Sequence, residues 1–316
     1  MTADHKSLGL SPFGVATFLK APLVEPGGTW QADVAFLGIP FDQATGFRPG
    51  TRFGPRALRD ISVRLSALSV EGKPGYYDLR SGETRAACSF VDTGDVDILP
   101  LLWERSFDAI TSSVATILSR CALPVIVGGD HSVTFPILRA FSRHEPLTVV
   151  QFDAHLDYRD DAGGVRYGHG NVLRRVRELP FVERLVSLGI RSLRTRRDDR
   201  EAHARDGNLI VPSFDIHARG PDGIADLLPR HRNVYITFDI DAFDPGIAPG
   251  TGTPEVGGLS YEQARRLLEL IIGHNRLVGF DLVEVNPSLD VSQITALLGL
   301  QIIIETIGLA LKGDER

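Results

Sequence analysis

The stretch VVQFDAHLD at residues 149–157 is an apolar run that ends in two aspartates and a histidine. Three further apolar runs also end in acidic or imidazole side chains: VIVGGDHS at 125–132, YITFDIDAFD at 235–244 and VGFDLVEVNP at 278–287. Runs rich in β-branched and aromatic residues predict buried strands, and the carboxyl ends of parallel strands meet at one edge of a sheet. We therefore expect an α/β fold in which these polar strand ends converge.

Around these stretches, short β-branched runs alternate with longer segments of helical period, the pattern of a parallel sheet built from βαβ units. Eight strands are predicted, at 33–39, 90–96, 124–129, 147–153, 184–190, 208–215, 233–239 and 276–282. Helices are predicted at 55–68, 104–121, 132–143, 168–178, 260–273 and 291–311. Because no linker interrupts this alternation, we expect a single α/β domain over residues 33–316, preceded by an N-terminal extension over residues 1–32.

The composition is typical of a soluble globular protein. Lys and Arg total 34 against 40 Asp and Glu in 316 residues, a formal charge of −6, and no basic face indicates a nucleic-acid partner. No apolar run reaches the roughly 20 residues that span a bilayer. The two cysteines are too few for a disulfide framework, and the N-terminal segment lacks the pattern of a secretory signal. We expect a cytoplasmic protein with neither a nucleic-acid nor a membrane partner.

The polar strand ends supply a set of candidate metal ligands. They are His131, Asp153, His155, Asp157, Asp239 and Asp241, with Asp130 and Asp244 beside them. Carboxylates crowded at a buried sheet edge repel one another unless cations compensate their charge. Six ligands of mixed carboxylate and imidazole type are too many for one tetrahedral zinc, but they suit two divalent ions that share carboxylates. Two such ions lower the pKa of a bridging water, so hydrolysis is the predicted chemistry.

Three of these stretches, GGDHS at 128–132, DAHLD at 153–157 and FDIDAFDP at 238–245, resemble the signatures of the arginase and agmatinase family, the ureohydrolases. The similarity extends to GIPFDQATGFRPGTRFGPRALRD at 38–60, APGTGTPEVGGLS at 248–260 and FDLVEVNPSLD at 280–290. The resemblance implies a three-layer α/β/α fold with one eight-stranded parallel sheet and a pair of manganese ions. It also implies hydrolysis of a guanidino compound to urea and an amine, by a homotrimer or homohexamer.

Carried over by position, the resemblance assigns a role to each candidate. One ion would be held by His131, Asp153, Asp157 and Asp239, and the other by Asp153, His155, Asp239 and Asp241. The resemblance also implies that His169, in RYGHGNVLRR, transfers the proton to the departing nitrogen and that Glu284 orients the guanidinium. Carboxylate and imidazole ligands suit manganese but also accept nickel, cobalt or zinc, so the metal stays open.

The substrate branch rests on the loop between the first aspartate cluster and His169. Arginases typically carry a Ser-Gly-Asn element in this loop, which holds the α-carboxylate and α-amino groups of a free amino acid. The corresponding stretch of this chain, DYRDDAGGVRYGHGN at 157–171, lacks that element. The resemblance therefore favours an agmatinase-like enzyme that converts agmatine to putrescine, with Asp160 or Asp161 near the distal ammonium. The alternative is a guanidino acid such as 4-guanidinobutyrate or 3-guanidinopropionate, for whose carboxylate Arg48 is available.

Two further hypotheses belong to other classes of protein. The first is a catalytically silent family member that serves as a metal-binding subunit of a mixed oligomer, which would release no urea after manganese loading. The second is a two-metal phosphohydrolase, since such sites also use Asp and His ligands. Release of phosphate rather than urea would identify it.

Overall fold

Eight parallel strands form one sheet at the centre of the computed structural model, which describes residues 14–66, 68–70, 73–85 and 88–311. In chain order the strands are β1 (Ala32–Gly38), β2 (Phe90–Asp95), β3 (Cys121–Val127), β4 (Leu147–Phe152), β5 (Val182–Ile190), β6 (Leu209–Pro212), β7 (Asn233–Asp239) and β8 (Arg276–Val283). Their order across the sheet is β6-β5-β4-β7-β8-β3-β1-β2. The eight-stranded parallel sheet predicted from sequence is confirmed.

Helices cover both faces of the sheet and complete the three-layer α/β/α arrangement. They are α1 (Gly54–Ser62), α2 (Trp103–Ile117), α3 (Thr134–Leu138), α4 (Val172–Arg177), α5 (Arg197–Arg205), α6 (Ser213–Arg219), α7 (Tyr261–His274) and α8 (Ile294–Ala310). Buried residues of α1, α7 and α8 belong to one hydrophobic cluster, and those of α2, α3 and α4 belong to the other. None of the helices that the structure describes is long and apolar enough to cross a membrane.

The strands are largely apolar because both faces of the sheet are covered. In β1, Val34 and Phe36 pack into the cluster with α8, whereas Ala35 and Leu37 pack into the cluster with α2. This alternation follows from the two-residue period of an extended chain. The continuous hydrophobic strands that the sequence shows are therefore those of a sheet buried between two helical layers.

Two of the sequence predictions need correction, and one helix was missed. The strand predicted at 208–215 ends at Pro212, and helix α6 begins at the next residue, because proline has no amide hydrogen with which to continue a strand ladder. The helix predicted at 132–143 is divided into α3 and flanking 3-10 turns, since Pro136 cannot donate to the turn before it. Helix α5 was not predicted, because its sequence RDDREAHAR has almost no apolar face.

Residues before the sheet pack on its outer edge. Phe18 is buried, its ring stacks on Phe36 with centroids 4.0 Å apart, and its amide donates to Asp92 at 2.7 Å. Val24 N donates to the Asp92 carbonyl at 2.9 Å. Residues 1–13 lie outside the described part of the chain. The division into an extension over 1–32 and a domain over 33–316 stays a prediction.

Candidate metal centre

The candidate site lies at the carboxyl ends of four neighbouring central strands, β4, β7, β8 and β3. Asp153 directly follows β4, Asp239 is the last residue of β7, and Glu284 directly follows β8. His131 lies in the 3-10 turn that follows β3. Because the four strands are adjacent and parallel, their polar ends are brought to one edge of the sheet. All six predicted ligands converge there.

A first group of side chains surrounds the His131 ring. Its Nδ1 atom lies 3.0 Å from Asp153 Oδ2, 3.2 Å from Asp157 Oδ2 and 3.3 Å from Asp239 Oδ2. His131, Asp153 and Asp239 are all buried, and one potential ligand atom of each lies within 4.8 Å of the others. One imidazole nitrogen therefore faces three carboxylate oxygens.

A second group surrounds His155. Its Nδ1 atom lies 3.1 Å from Asp241 Oδ2 and 3.6 Å from Asp153 Oδ1. Asp153 thus directs one carboxylate oxygen to each histidine. Asp239 Oδ1 accepts the Asp241 amide at 2.8 Å, and Asp239 groups with His131 rather than with His155. The geometry supports a shared role for Asp153 most directly, and the bridging role of Asp239 stays a prediction.

The orientation of His131 is set by residues that the sequence analysis did not single out. Its Nε2 atom lies 2.9 Å from Thr237 Oγ1, whose hydroxyl donates to Asp281 Oδ1 at 2.6 Å. Because that hydroxyl proton is directed to Asp281, Thr237 must accept from a protonated Nε2. The Nδ1 lone pair of the neutral ring then faces the three carboxylates, which only a cation or a proton between them can stabilise.

Asp281 is itself fully buried in β8. Its Oδ2 atom accepts from Tyr235 at 2.8 Å and from Thr134 at 3.1 Å. Burial raises the pKa of Asp281, and the three hydroxyl donors oppose that rise. A polar residue in the middle of an otherwise apolar strand, as in VGFDLV, is the signal by which the sequence could have revealed it.

The electrostatics of the cluster show why it requires positive charge. Burial and the neighbouring carboxylates of Asp241 and Asp153 raise the pKa of Asp239 well above its usual range. Burial and Asp153 likewise raise the pKa of Asp157. Burial alone would lower the pKa of His131, but its three aspartate contacts raise it. Without metal, protons on these side chains therefore reduce the negative charge of the cluster. Bound cations would balance the same charge.

His155 is supported from its outer side by Glu255. His155 Nε2 lies 3.4 Å from Glu255 Oε1, which also accepts from Ser192 Oγ at 2.6 Å. His155 thus directs Nδ1 to Asp241 and Nε2 to a second carboxylate, the arrangement usual for a metal-binding histidine. Glu255 lies in the Pro- and Gly-rich loop 248–260, and no residue spacing in that loop indicates its role.

Glu284 joins the metal centre to His169. Its Oε1 atom accepts from the His131 amide at 2.9 Å and lies 3.3 Å from His169 Nδ1. Its Oε2 atom is buried and has no hydrogen-bond partner. Glu284 has a φ of 63°, and Asp157 has a φ of 51°. Such left-handed conformations are strained for residues other than glycine and concentrate at functional sites.

His169 is largely enclosed at the same edge. The amide of Gly46 donates to its Nε2 atom at 3.3 Å. Burial alone would lower the pKa of His169, but the hydrogen bond to Glu284 and the charges of Asp130 and Asp157 raise it to about 9. The side chain is therefore placed to hold a proton beside the carboxylate of Glu284.

A cavity of about 320 Å³ opens over the cluster. It is lined by His155, Asp157 and Asp239 of the metal centre and by both His169 and Glu284. Such a volume lies at the small end of the range for ligand sites. Three of the six predicted metal ligands and the two predicted catalytic side chains therefore share one cavity.

The remaining sequence candidates have structural partners. Asp130 accepts from the Ser132 and Ala44 amides, and it caps the 3-10 turn at His131. Asp244 accepts from three glycine amides of the loop that follows β7. We assign both to loop structure rather than to metal binding.

A model of the arginase family matches residues 32–308. The chain belongs to the arginase family. The ureohydrolase resemblance of the sequence motifs is thereby confirmed, and the arginase-family fold agrees with the observed parallel sheet. As a member of this family, and with amidinohydrolases as relatives, the chain is an amidinohydrolase.

Several arginase-family relatives align over most of the chain. Proclavaminate amidinohydrolase of Streptomyces clavuligerus is 35% identical over 91% of this chain and 90% of its own length. Guanidinobutyrase of Pseudomonas aeruginosa is 34% identical over 93% of this chain and 92% of its own length. Agmatinase of Proteus mirabilis is 35% identical over 92% of this chain and 91% of its own length. The solved structure of the Streptomyces enzyme gives a TM-score of 0.83 at 34% identity, covering 94% of this chain and 97% of that one.

Proposed function

We propose that this protein hydrolyses a guanidino compound to urea and an amine at a centre that holds two divalent cations. The observation that carries the proposal is the placement of Asp153, whose two carboxylate oxygens lie within 3.6 Å of two different histidines, the buried His131 and the half-buried His155. Two groups of ligand atoms that share one carboxylate are the arrangement expected for a pair of ions.

The side chains fit such a pair. The first ion would be held by His131, Asp153, Asp157 and Asp239, and the second by Asp153, His155, Asp239 and Asp241. The position of His131 Nδ1, which faces three carboxylate oxygens, supports this assignment. When bound, the two ions would supply a nucleophile by lowering the pKa of a water molecule toward neutrality. Oxygen and nitrogen donors favour manganese, which we propose as the metal, with nickel, cobalt or zinc as alternatives.

Glu284 is the residue that we propose binds the guanidinium. Its Oε2 atom is buried, has no hydrogen-bond partner and belongs to a side chain that lines the cavity. A carboxylate with free lone pairs in such a place accepts charge-assisted hydrogen bonds from a planar guanidinium. Those bonds would orient the central carbon toward the carboxylate cluster at Asp157 and Asp239.

His169 is the residue that we propose transfers the proton. In the net reaction, water adds its oxygen to the guanidinium carbon, the bond from that carbon to the substituted nitrogen breaks, and protons from the water pass to the leaving amine. The products are urea and an alkylammonium ion, so atoms and charge balance. His169 lines the cavity and is hydrogen-bonded to Glu284, a position from which it can protonate the departing nitrogen.

The experiment is a panel assay on protein loaded with Mn²⁺. Release of urea is measured with agmatine, 4-guanidinobutyrate, 3-guanidinopropionate and arginine, and release of phosphate is measured with phosphate esters. Urea from at least one guanidino compound supports the proposal. Phosphate release alone would identify a phosphohydrolase, and no turnover of any compound would favour a silent metal-binding subunit.

Agmatine is the substrate that the sequence predicts, and the same assay tests it against the guanidino acids. If arginine were the best substrate, the agmatinase-like branch would be wrong. The homotrimer or homohexamer implied by the family resemblance is a separate proposal. Light scattering on the purified protein tests it by giving the molar mass.

A further inference from the structure

The charged residues of the cavity fall into two sets. One set belongs to the metal centre and to the pair formed by His169 and Glu284. The other set is not used by the proposed chemistry and consists of Arg159, Arg194 and Asp199. A substrate whose guanidinium lies at Glu284 would direct its other end toward this second set.

Asp199 is partly neutralised by Arg159. Arg159 Nε lies 3.9 Å from Asp199 Oδ2, and the two side chains are 30% and 18% exposed. Arg194 has no such partner, because no carboxylate oxygen of the described chain lies within 4.0 Å of its guanidinium. The second set therefore carries a surplus positive charge, located at Arg194.

Asp160 and Asp161, the two residues that the sequence offers for a distal ammonium, are directed elsewhere. Asp160 pairs with Arg166 and Arg175 and is not among the residues that line the cavity. Asp161 Oδ1 accepts the Gly164 amide at 2.7 Å and also lies outside the lining. The two carboxylates are thus paired outside the cavity, Asp160 with arginines of the loop and of α4 and Asp161 with a loop amide.

The segment that carries Arg194 is fixed to the metal centre. The Arg194 amide donates to Ser192 Oγ at 3.2 Å, and Ser192 Oγ donates to Glu255, the carboxylate beside His155. Ser192 and Thr195, on either side of Arg194, also line the cavity. The backbone therefore places Arg194 at a defined position in the cavity wall.

We propose that Arg194, assisted by Arg159, binds a carboxylate at the end of the substrate opposite to the guanidinium, so that the substrate class is guanidino acids. This inference rests on the proposed hydrolysis of guanidino compounds. The planar fork of arginine matches a carboxylate with two parallel hydrogen bonds, whereas it repels an ammonium. Agmatine ends in an ammonium, and the surplus charge at Arg194 disfavours it.

The test compares 4-guanidinobutyrate, 3-guanidinopropionate and agmatine on the wild type, Arg194→Gln and Arg196→Gln, all loaded with Mn²⁺. Arg196 lies on the same segment but does not line the cavity, so it is the matched control. We expect the wild type to prefer a guanidino acid in kcat/KM. Arg194→Gln should lower kcat/KM for that acid by about 10- to 100-fold, mainly through KM, because one charge-assisted interaction is lost. The control should not change.

A charge reversal sharpens the comparison. Arg194→Glu should raise kcat/KM for agmatine while it lowers that for the acid. A wild type that prefers agmatine, or an equal loss in the control variant, would overturn the inference.

Calorimetric binding of 4-guanidinobutyrate and of agmatine to the metal-loaded protein separates this inference from the proposed function. A protein that binds the acid through Arg194 but releases no urea would contradict the proposed hydrolysis and support the carboxylate subsite. Urea release with no effect of Arg194 on binding or on kcat/KM would support the hydrolysis and contradict the subsite.

Discussion

His131 Nε2 lies 2.9 Å from Thr237 Oγ1, and this contact determines which ring nitrogen of His131 faces the carboxylates. Thr237 donates its own proton to Asp281 and therefore accepts the proton of Nε2. The other ring nitrogen, Nδ1, faces Asp153, Asp157 and Asp239, where it can share a cation or a proton with these carboxylates. Residues behind a metal ligand that fix its tautomer raise metal affinity.

Thr237→Val should weaken metal binding without unfolding the protein. Valine keeps the size and β-branching of threonine but cannot accept from Nε2 or donate to Asp281. We expect the affinity for Mn²⁺ to fall by about 10- to 100-fold, measured by competition with a chelator. Thr116→Val is the control, because the Thr116 hydroxyl bonds only to a carbonyl of its own helix. Unchanged affinity in Thr237→Val would show that the tautomer is fixed in another way.

Glu284→Gln should abolish most of the activity while leaving the metal in place. The substitution keeps the shape of the side chain but removes the charge that faces His169 and the guanidinium. We expect kcat/KM for urea release to fall by at least about 100-fold, with metal content unchanged by elemental analysis. Glu201→Gln, on an exposed helix position, serves as the control. Loss of metal from Glu284→Gln would instead make this carboxylate a ligand.

His203 should make stability depend on pH in the acid range. It is fully buried, its Nε2 lies 3.3 Å from Ser187 Oγ, and its Nδ1 has no partner. Burial lowers the pKa of His203 to about 4, and the charge of Asp206 only partly opposes this. As pH falls from about 6.5 to about 4, the unfolded chain takes up a proton that the folded chain rejects, so stability decreases.

The lowered pKa of His203 should reduce the free energy of unfolding by about 3 kcal/mol at pH 4. This reduction is measured by urea unfolding of the wild type and His203→Phe in chelator, so that loss of metal does not contribute. Phenylalanine preserves the edge contact with the Tyr158 ring and removes the titration. We expect the free energies of unfolding of the two proteins to converge as pH falls. Parallel curves from pH 7 to pH 4 would contradict the role assigned to His203.

The parts of the fold and site that follow from the sequence are those determined by local pattern. All eight strands were predicted because each is a short run rich in apolar and β-branched residues, bounded by polar or turn residues. The metal candidates were predicted because Asp153, Asp239 and His131 follow three of these runs, and parallel strands bring such ends together. Because carboxylates crowded at a buried sheet edge repel one another, their number alone predicted that cations bind there.

The parts that the sequence did not reveal depend on contacts between strands and loops. Thr237 and Asp281 meet because β7 and β8 pair in the register that sets them opposite each other. Arg48 was the sequence candidate for a substrate carboxylate, but its Nε donates to the Gly252 carbonyl and it does not line the cavity. Arg194 does line it, through a loop conformation that no local pattern indicates.

The number of Mn²⁺ ions bound per chain tests whether two cations share Asp153. It is measured by equilibrium dialysis of the wild type and Asp153→Asn. Asp153 directs one oxygen to each histidine, so both ions depend on it. We predict two ions per chain in the wild type, and in Asp153→Asn a loss of affinity at both sites. One ion or none in the wild type, or two tightly bound ions in Asp153→Asn, would contradict the shared two-cation centre.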